Sequence, residues 1–358
     1  MAPDRSSGIA LWTWLARLAA VYLCAGLFGW LFSKLAIPLP WMIGPLVGTA
    51  ALFLTGRLTL TIPTKTRSVG QMVVATQVGL AFSPEAFRIL INLAPLMVGL
   101  AMTTALSGLL AAVLLMRISG QALAPSILAC LPMSPVESAM ISERMGYDPV
   151  PVIVGQTVRI AGVVILIPIS LYLIDGWPDR SSSVMSGTEV HLAGFALSAL
   201  IAVGAALFFR RARLPNPFFF GPLTASAALA ASGLSPHLVP PELLIVAQLI
   251  LGTWLGSTFR REVFLSAGPL VAGSILSSLA LIGLSAGFAG VFSHFTALHW
   301  EALVLGAAPG GVTEMALTAR FLAEDVALVT AFQLVRIFLI LPNIPWIVGA
   351  VHRWETRR

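Results

Sequence analysis

The chain has 358 residues, of which 58% are hydrophobic and 10% are charged, and its formal net charge is +6. Soluble domains carry about 25% charged residues, so this composition excludes a water-soluble enzyme. An excess of Lys and Arg is typical of membrane-protein loops that set orientation, and no basic helix or zinc-finger spacing indicates nucleic acid as a partner. Cys24 and Cys130 lie in apolar segments, which indicates core residues rather than a disulfide framework.

Six apolar segments occur in each half of the chain, and many approach the ~20 residues needed to cross a bilayer. In the first half they lie near 11–33, 41–54, 69–82, 87–116, 123–140 and 150–174, and the second half carries them again 177 residues later. Candidate spans of the full length are Leu11–Ser33, Phe87–Met116, Val150–Ile174, Val190–Phe209, Phe264–Ser293 and Val326–Ala350. The predicted fold is therefore all-α, that of a polytopic integral membrane protein.

The two halves are related by an internal repeat. The stretch "PLPWMIGPLVGTAALFLTG" from Pro38 matches "PNPFFFGPLTASAALAASG" from Pro215, and "LPMSPVESAMISERMGYDP" from Leu131 matches "APGGVTEMALTARFLAEDV" from Ala308. Polar residues coincide at the same offset, and not only the glycines, prolines and aliphatic residues that are common in membrane helices. Residues 1–175 and 176–358 are therefore predicted to form two homologous transmembrane repeats.

The distribution of Lys and Arg favours about five crossings per half, with one broken or re-entrant segment in each. If the segments near 123–140 and 300–317 enter and leave on one side, 14 loop Lys and Arg lie on one side and 4 on the other. The positive-inside rule then makes the richer side, with both termini, cytoplasmic. An odd number of crossings predicts inverted repeats, which secondary transporters use. Six crossings per half, with parallel repeats, is the alternative.

Helix-breaking residues interrupt one apolar segment in each half. These residues are Pro132 and Pro135 in the first half and Pro309, Gly310 and Gly311 in the second. Non-helical backbone at membrane depth is tolerated only where protein or a water-filled cavity satisfies its polar groups. The glycines let backbone approach a ligand closely. Both breaks are therefore candidate parts of a binding site.

A carboxylate follows each break in the first turn of the next helix, at Glu137 and Glu314. A helix N-terminus offers free N–H groups and partial positive charge, which together bind anions. The two glutamates have two interpretations: they cap these helix ends, or they bind a cation or a proton. Asp148 and Asp325 precede the following helices and are expected to cap them.

An arginine lies deep within the next apolar segment of each half, at Arg159 and Arg336, with Gln156 and Gln333 one turn earlier. An arginine at that depth costs roughly 2.5 kcal/mol or more unless it is paired or hydrated. One interpretation is a substrate or ion site lined by Glu, Gln and Arg from each half. The other is a structural Glu–Arg pair that holds the broken segment against the next helix.

The motifs "PWMIGPLVG", "PGGVTEMAL" and "QLVRIFLIL" resemble the AbrB-type inner-membrane protein family, which is built from the AbrB duplication domain. The resemblance runs from about Leu27 to Ala350, although the first half has Pro132-Met133-Ser134-Pro135 where the second has the Pro-Gly-Gly pattern. It implies a multi-pass inner-membrane protein, and family members have been described as regulators of gene expression, as transporters and as ammonia monooxygenases. The small soluble DNA-binding AbrB regulators are different proteins.

The residues do not support the monooxygenase label. Copper or iron oxygen chemistry needs imidazole and carboxylate ligands that converge on one metal, and the five histidines are scattered near segment ends. No phosphate-binding loop, HExxH or GxSxG motif occurs either. We therefore expect neither an enzyme nor a bound metal or cofactor.

The function expected from the sequence is gradient-driven secondary transport of a small polar or anionic solute. The expected binding residues are Glu137, Gln156, Arg159, Gly310, Gly311, Glu314, Gln333 and Arg336. A membrane-embedded regulator of gene expression that acts indirectly is the alternative. Besides the small solute or ion, the expected partners are the lipid bilayer and further copies of the chain in a homo-oligomer, and the expected location is the bacterial inner membrane.

Overall fold

The computed structural model describes residues 8–56, 60–175, 192–214, 216–232, 239–266 and 268–357, and every regular element within these residues is helical. Five spans are long and apolar enough to cross a membrane: Trp12–Lys34, Ala94–Ser119, Pro149–Ile174, Gly268–Ser293 and Val326–Glu355. The predicted all-α, polytopic fold is thereby confirmed. Three shorter apolar helices, Pro40–Leu54, Pro217–Ala231 and Pro241–Gly256, add to these spans.

Within the described residues, the first half of the chain has eight helices. They are α1 (Gly8–Lys34), α2 (Pro40–Leu54), α3 (Thr64–Gly79), α4 (Pro84–Asn92), α5 (Ala94–Ser119), α6 (Leu123–Cys130), α7 (Pro135–Arg144) and α8 (Pro149–Asp175). Prolines begin several of them, since a proline in the first turn forfeits only an N–H group that would have no partner there.

The described part of the second half follows the same order. Its helices are α9 (Leu192–Arg211), α10 (Pro217–Ala231), α11 (Pro241–Gly256), α12 (Arg261–Ser266), α13 (Gly268–Ser293), α14 (Trp300–Ala307), α15 (Val312–Phe321), α16 (Val326–Ile340) and α17 (Ile344–Glu355). A 3₁₀ turn, Leu341–Asn343, separates the last two. The segment between the predicted spans Val150–Ile174 and Val190–Phe209 falls almost entirely outside the described residues.

Three segments differ from their predicted bounds. The run 87–116 is divided near Pro95, which has no N–H to continue α4 and lies in the first turn of α5. The run 326–350 is interrupted at Pro342, which lacks an N–H in the same way. The segment expected at 69–82 begins at Thr64, directly after Pro63, and therefore contains Arg67, one of the 14 Lys and Arg counted above as loop residues on the cytoplasmic side.

The helix bounds recur at the offset of the sequence repeat. The helices α2, α3, α6 and α7 begin and end 177 residues before α10, α11, α14 and α15. Contacts between the halves recur too: a Cβ on Gly79 would lie 2.5 Å from the carbonyl oxygen of Leu223, and the counterpart Gly256 is equally close to the counterpart carbonyl of Leu46. Such an exchange of contacts is what two structurally related halves would produce, and the division at residues 175 and 176 stays a prediction.

The first broken segment, α6 and α7, is a hairpin whose two ends lie at the same end of the molecule. Glu355, the last residue of α17, accepts hydrogen bonds from the N–H groups of Leu123 (2.7 Å) and Ala124 (3.3 Å) at the start of α6. The same carboxylate accepts a 3.1 Å bond from the hydroxyl of Tyr147, three residues after α7. We call the end of the molecule that carries Glu355 the C-terminal face.

The second broken segment, α14 and α15, is also a hairpin. His299, directly before α14, lies 3.6 Å from Glu324, three residues after α15. Helix α5 leads into the first hairpin and α13 leads into the second, and these two helices pack side by side in opposite directions. A Cβ on Gly99, near the start of α5, would lie 3.5 Å from Phe292 at the end of α13, and a Cβ on Gly273, near the start of α13, would lie 3.1 Å from Leu115 near the end of α5. The two hairpins therefore enter the molecule from opposite faces.

Candidate functional site

Each break leaves a carbonyl group without its usual helical partner. In an uninterrupted helix the carbonyl of residue i accepts a hydrogen bond from the N–H of residue i+4. The residues four positions after Leu128 and Leu305 are Pro132 and Pro309, and proline has no N–H to donate. An unpaired carbonyl buried in a membrane protein costs free energy, so both carbonyls need another donor.

The two glutamines of the following helices supply that donor. In the first half, Nε2 of Gln156 donates to the carbonyls of Leu128 and, at 3.1 Å, Leu131. In the second half, Nε2 of Gln333 donates to the counterpart carbonyls, Leu305 at 2.6 Å and Ala308 at 3.1 Å. Both glutamines are fully buried. Their role is to replace the N–H groups that the prolines lack.

The two arginines bind neighbouring carbonyls in the same breaks. Arg159 donates to Cys130 at 2.9 Å and to Leu131, and its second amino group bonds Oε1 of Gln156 at 2.6 Å. Arg336 donates to the carbonyls of Ala308 and, at 2.8 Å, Gly310. Both guanidinium groups are buried, so each break is fastened to the next helix through its own backbone.

The glutamates have no part in this fastening. No ion pair within 4.0 Å joins Glu137 or Glu314 to Arg159 or Arg336 in the described part of the chain. The structural Glu–Arg pair considered as one interpretation of the sequence is therefore wrong about the arginine's partner. Each arginine binds backbone carbonyl groups instead of a glutamate carboxylate. The two guanidinium groups are near enough to repel one another, which leaves positive charge concentrated between the two breaks.

A cavity of about 750 Å³ lies between the breaks of the two hairpins. Six of the eight predicted binding residues line it: Glu137, Arg159, Gly310, Gly311, Glu314 and Arg336. The two predicted glutamines lie behind the lining, on the carbonyls described above. Pro132 and Pro135 line the cavity as well, whereas Pro309 is not among the described lining residues.

Glu314 is the third residue of α15, and it lines the cavity while partly buried. Its carboxylate folds back over the start of its helix, where a Cβ on Gly311 would overlap Oε2. Gly311 therefore provides the space that this carboxylate occupies, next to the free N–H groups of the first turn. Glu137 has the equivalent position on α7 and is also partly buried.

Sequence reasoning missed Arg67, which lies on α3 and lines the cavity. Its guanidinium carbon is 4.1 Å from the ring centroid of Trp254, a cation–π arrangement. Its charge also acts on Glu314 across the cavity. One signal was available: Arg67 and Gln71 are four residues apart and share a helix face, and both line the cavity.

Three further polar side chains point to a ligand. Gln71, Thr157 and Thr313 line the cavity and are 8%, 2% and 4% exposed. None of the three makes a side-chain hydrogen bond to another described residue. Their polar atoms are not fully enclosed by protein, since they face the cavity. A solute or water there would complete their hydrogen bonding.

The cavity reaches one face of the molecule. Lining residues from the first hairpin extend along α7 to Glu143, which is exposed and four residues from Tyr147 at the C-terminal face. Lining residues from the second hairpin extend only from Gly310 to Glu314. The cavity is therefore open toward the C-terminal face and covered by the second hairpin on the other side.

One cluster of possible metal ligands lies outside the cavity. His299, Glu301 and Glu324 place their ligand atoms within 4.8 Å of one another at the base of the second hairpin. The predicted caps are also present: Asp148 accepts from the N–H of Val150 and Asp325 from that of Leu328, both at 3.0 Å.

Known proteins resemble the chain over nearly its whole length. A family model described as "Transition state regulatory protein AbrB" matches residues 2–132 and 54–352. The chain is 24% identical over 346 residues to "Uncharacterized protein YhjN" of Bacillus subtilis (strain 168), with 90% of each chain covered. It is 24% identical over 330 residues to "Putative regulator AbrB" of Escherichia coli (strain K12), with 91% of this chain and 94% of the relative covered. The resemblance carried by the sequence motifs is confirmed, and the chain belongs to the AbrB family as a polytopic helical membrane protein.

Proposed function

We propose that the protein is a secondary transporter that binds a small anionic or polar solute in the cavity between its two backbone breaks. The observation that carries the proposal is that hairpins entering from opposite faces end on one cavity. Broken helices that meet at such a cavity are a recurrent plan of secondary transporters. We place the protein in the bacterial inner membrane, with the C-terminal face in the cytoplasm.

The charges around the cavity favour an anionic solute. The N-termini of α7 and α15 carry partial positive charge, because the first N–H groups of each helix have no acceptor within the helix. Arg67, Arg159 and Arg336 add positive charge to the same lining. Glu314 is the candidate group for coupling to a proton or cation, because it lies at the break and lines the same cavity as Arg67.

The two halves suggest how access to the cavity alternates. In the described conformation α7 lines the cavity along its length, whereas α15 contributes only its first residues. Exchanging these roles between the halves gives a second conformation that opens toward the opposite face. Two such conformations related by the repeat are what alternating access requires.

The proposed activity is transport rather than catalysis. The described lining contains arginine, glutamate, glutamine and threonine but no histidine or cysteine, which are the usual ligands of copper and zinc centres. A second candidate function follows from the name of the Escherichia coli relative, which calls that protein a regulator. A transporter that changes the internal concentration of a solute would affect gene expression indirectly.

Flux measurements on purified protein in liposomes test the proposal. We expect saturable uptake of at least one class of organic or inorganic anion, driven by a pH or ion gradient. Thr313→Val, which removes one unpartnered hydroxyl from the lining, should reduce the flux. Thr330→Val is the matched control, because Thr330 is fully buried, has no partner and is not among the lining residues. Solute binding without flux under any gradient would reject transport and favour a sensing role.

A further inference from the structure

We infer that the substrate is an organic monocarboxylate with an aromatic or branched apolar body, rather than an inorganic anion or a dicarboxylate. The inference rests on the proposed function, because it names the substrate class of the same cavity. Two observations support it. One part of the cavity lining is polar and the rest is apolar, and the charged groups around the cavity leave about one positive charge without a counter-charge.

One part of the cavity lining is polar. It contains the unpartnered side chains of Gln71, Thr157 and Thr313 and the start of α15. The first backbone hydrogen bond of α15 runs from the N–H of Met315 to the carbonyl of Gly311, so the preceding N–H groups have no helical acceptor. Hydroxyl, amide and N–H donors that line one cavity suit the two oxygens of a carboxylate.

The rest of the lining is largely apolar and aromatic. Phe219 and Phe220 pack edge to face with ring centroids 5.6 Å apart, and Phe220 contacts Phe338 of α16 at 5.8 Å. Trp254 and Ile337 line the same cavity. Such walls gain free energy by covering an apolar ligand body, and they offer nothing to replace the water around sulfate or a second carboxylate.

The balance of charge favours one negative charge on the ligand. Arg159 and Arg336 bind the C-terminal ends of α6 and α14, where each helix carries roughly half a negative charge, so together these ends offset about one of the two arginines. The N-terminal ends of α7 and α15 offset Glu137 in the same way, and Arg67 offsets Glu314. About one positive charge is left for the ligand, while the exposed Glu143 is solvated at the mouth.

The size of the cavity agrees with this class. Pockets for small organic ligands hold about 300–1,000 Å³, and about 750 Å³ is present. A carboxylate alone would fill a small part of that volume and would leave the aromatic wall in contact with water. An aryl or branched alkyl group attached to it would fill more of that volume and cover the phenylalanine rings.

Ligand-induced shifts in thermal unfolding of the full-length protein in detergent give the direct test. The probes are phenylacetate, 4-methylpentanoate, acetate, succinate, sulfate and the neutral analogue phenylacetamide. We expect saturable stabilisation by phenylacetate and 4-methylpentanoate, weaker stabilisation by acetate, and none by the other three. Thr313→Val should weaken phenylacetate binding about tenfold, as expected for the loss of one hydrogen bond, whereas Thr330→Val should leave it unchanged.

A second variant separates the apolar wall from the polar end. Phe338 is 63% exposed, so Phe338→Ala should fold normally while it weakens phenylacetate binding and leaves acetate binding unchanged. Equal binding of succinate, sulfate or phenylacetamide would overturn the inference, as would the absence of phenylacetate binding. Phenylacetate binding without flux would reject transport and keep the ligand class. Flux of succinate without phenylacetate binding would reject the ligand class and keep transport.

Discussion

Gln333 donates a 2.6 Å hydrogen bond to the carbonyl oxygen of Leu305, the carbonyl whose helical partner would be the missing N–H of Pro309. The same relationship joins Gln156 to Leu128 ahead of Pro132. A proline that opens the backbone is thus matched by a glutamine 24 residues later that closes its hydrogen bonding. Each half of the molecule depends on this pairing to keep a broken helix at membrane depth.

Removing the glutamine should destabilise the protein. Gln333→Leu keeps the side-chain volume but leaves the carbonyl of Leu305 without a donor, whereas the carbonyl of Ala308 keeps its bond from Arg336. We expect a loss of about 1–3 kcal/mol for the unsatisfied carbonyl, measured as a lower midpoint of thermal unfolding in detergent. Thr330→Val, one turn earlier in α16, should cost little, because its hydroxyl has no partner. Equal midpoints for Gln333→Leu and wild type would show that the carbonyls find other donors.

Gly311 and Glu314 should be energetically coupled. The backbone of Gly311 has φ −77° and ψ 148°, which alanine adopts freely, so Gly311→Ala should act only by displacing the carboxylate of Glu314. We expect it to destabilise the wild type and to have little effect in a Glu314→Ala background, with a coupling energy of about 0.5–3 kcal/mol. Gly283→Ala, where a Cβ meets nothing within 4 Å, is the control. The same effect in both backgrounds would contradict the contact.

The charge of Glu314 should matter for coupling. Glu314→Gln keeps the shape of the side chain and removes its charge, so helix capping should survive. We expect normal abundance but loss of the pH dependence of solute flux in proteoliposomes, because the group proposed to carry the proton is gone. Glu143→Gln at the exposed mouth is the matched control and should keep the wild-type profile. Identical flux and pH dependence in Glu314→Gln and wild type would leave capping as the role of this residue.

Tyr147 should stabilise the base of the first hairpin in a pH-dependent way. Its hydroxyl donates to Glu355, and burial, followed by the nearby charge of Glu355, raises the pKa of Tyr147 above its ordinary value. A raised pKa means that the stabilisation is complete below the unfolded pKa of about 10 and is lost as the pH rises through the folded value. Tyr147→Phe should therefore cost about 1 kcal/mol at pH 7, and the difference should close in alkaline buffer.

Tyr22 provides the control for that measurement. Its hydroxyl is buried without a hydrogen-bond partner, so Tyr22→Phe should leave the midpoint of thermal unfolding unchanged at pH 7. If Tyr147→Phe is as stable as wild type at pH 7, the hydroxyl of Tyr147 does not stabilise the first hairpin.

Labelling of single cysteines should place the two faces of the molecule. Ala212 follows α9, on the side predicted to be cytoplasmic, and Ala297 precedes α14 at the base of the second hairpin; both are exposed. In a background without Cys24 and Cys130, an impermeant thiol reagent should label Ala297→Cys in intact cells and label Ala212→Cys only after lysis. The reverse pattern would invert the topology, and labelling of both from outside would contradict the inverted repeat.

Much of the fold was readable from the sequence because proline, glycine and apolar runs act locally. The sequence predicted the breaks at Pro132 and Pro309, and it predicted that the helices recur at one offset. The orphan carbonyl of Leu305 was readable as well, four residues before a proline. Its partner was not, since Gln333 comes close only after the chain has turned back through α15.

The site was less predictable, for physical reasons that differ between residues. Arg67 looked like a loop residue because the first turn of α3, "TKTR", is polar, and only its packing on Trp254 brings it to the cavity. A pair between Arg336 and Glu314 was one of two interpretations, since opposite charges attract at membrane depth. The carbonyls freed by the break bind the guanidinium group instead.

Glu355 also bears on the order in which the protein is made. Residues near the N-terminal end of a chain usually settle first during synthesis, yet the start of α6 is capped by a carboxylate 232 positions later. The first hairpin therefore completes its hydrogen bonding only when the last helix has left the ribosome and been inserted. The two halves therefore depend on each other during biogenesis. A truncation or a rigid fusion at the C-terminus that removes or displaces Glu355 would leave the N–H groups at the start of α6 without this acceptor.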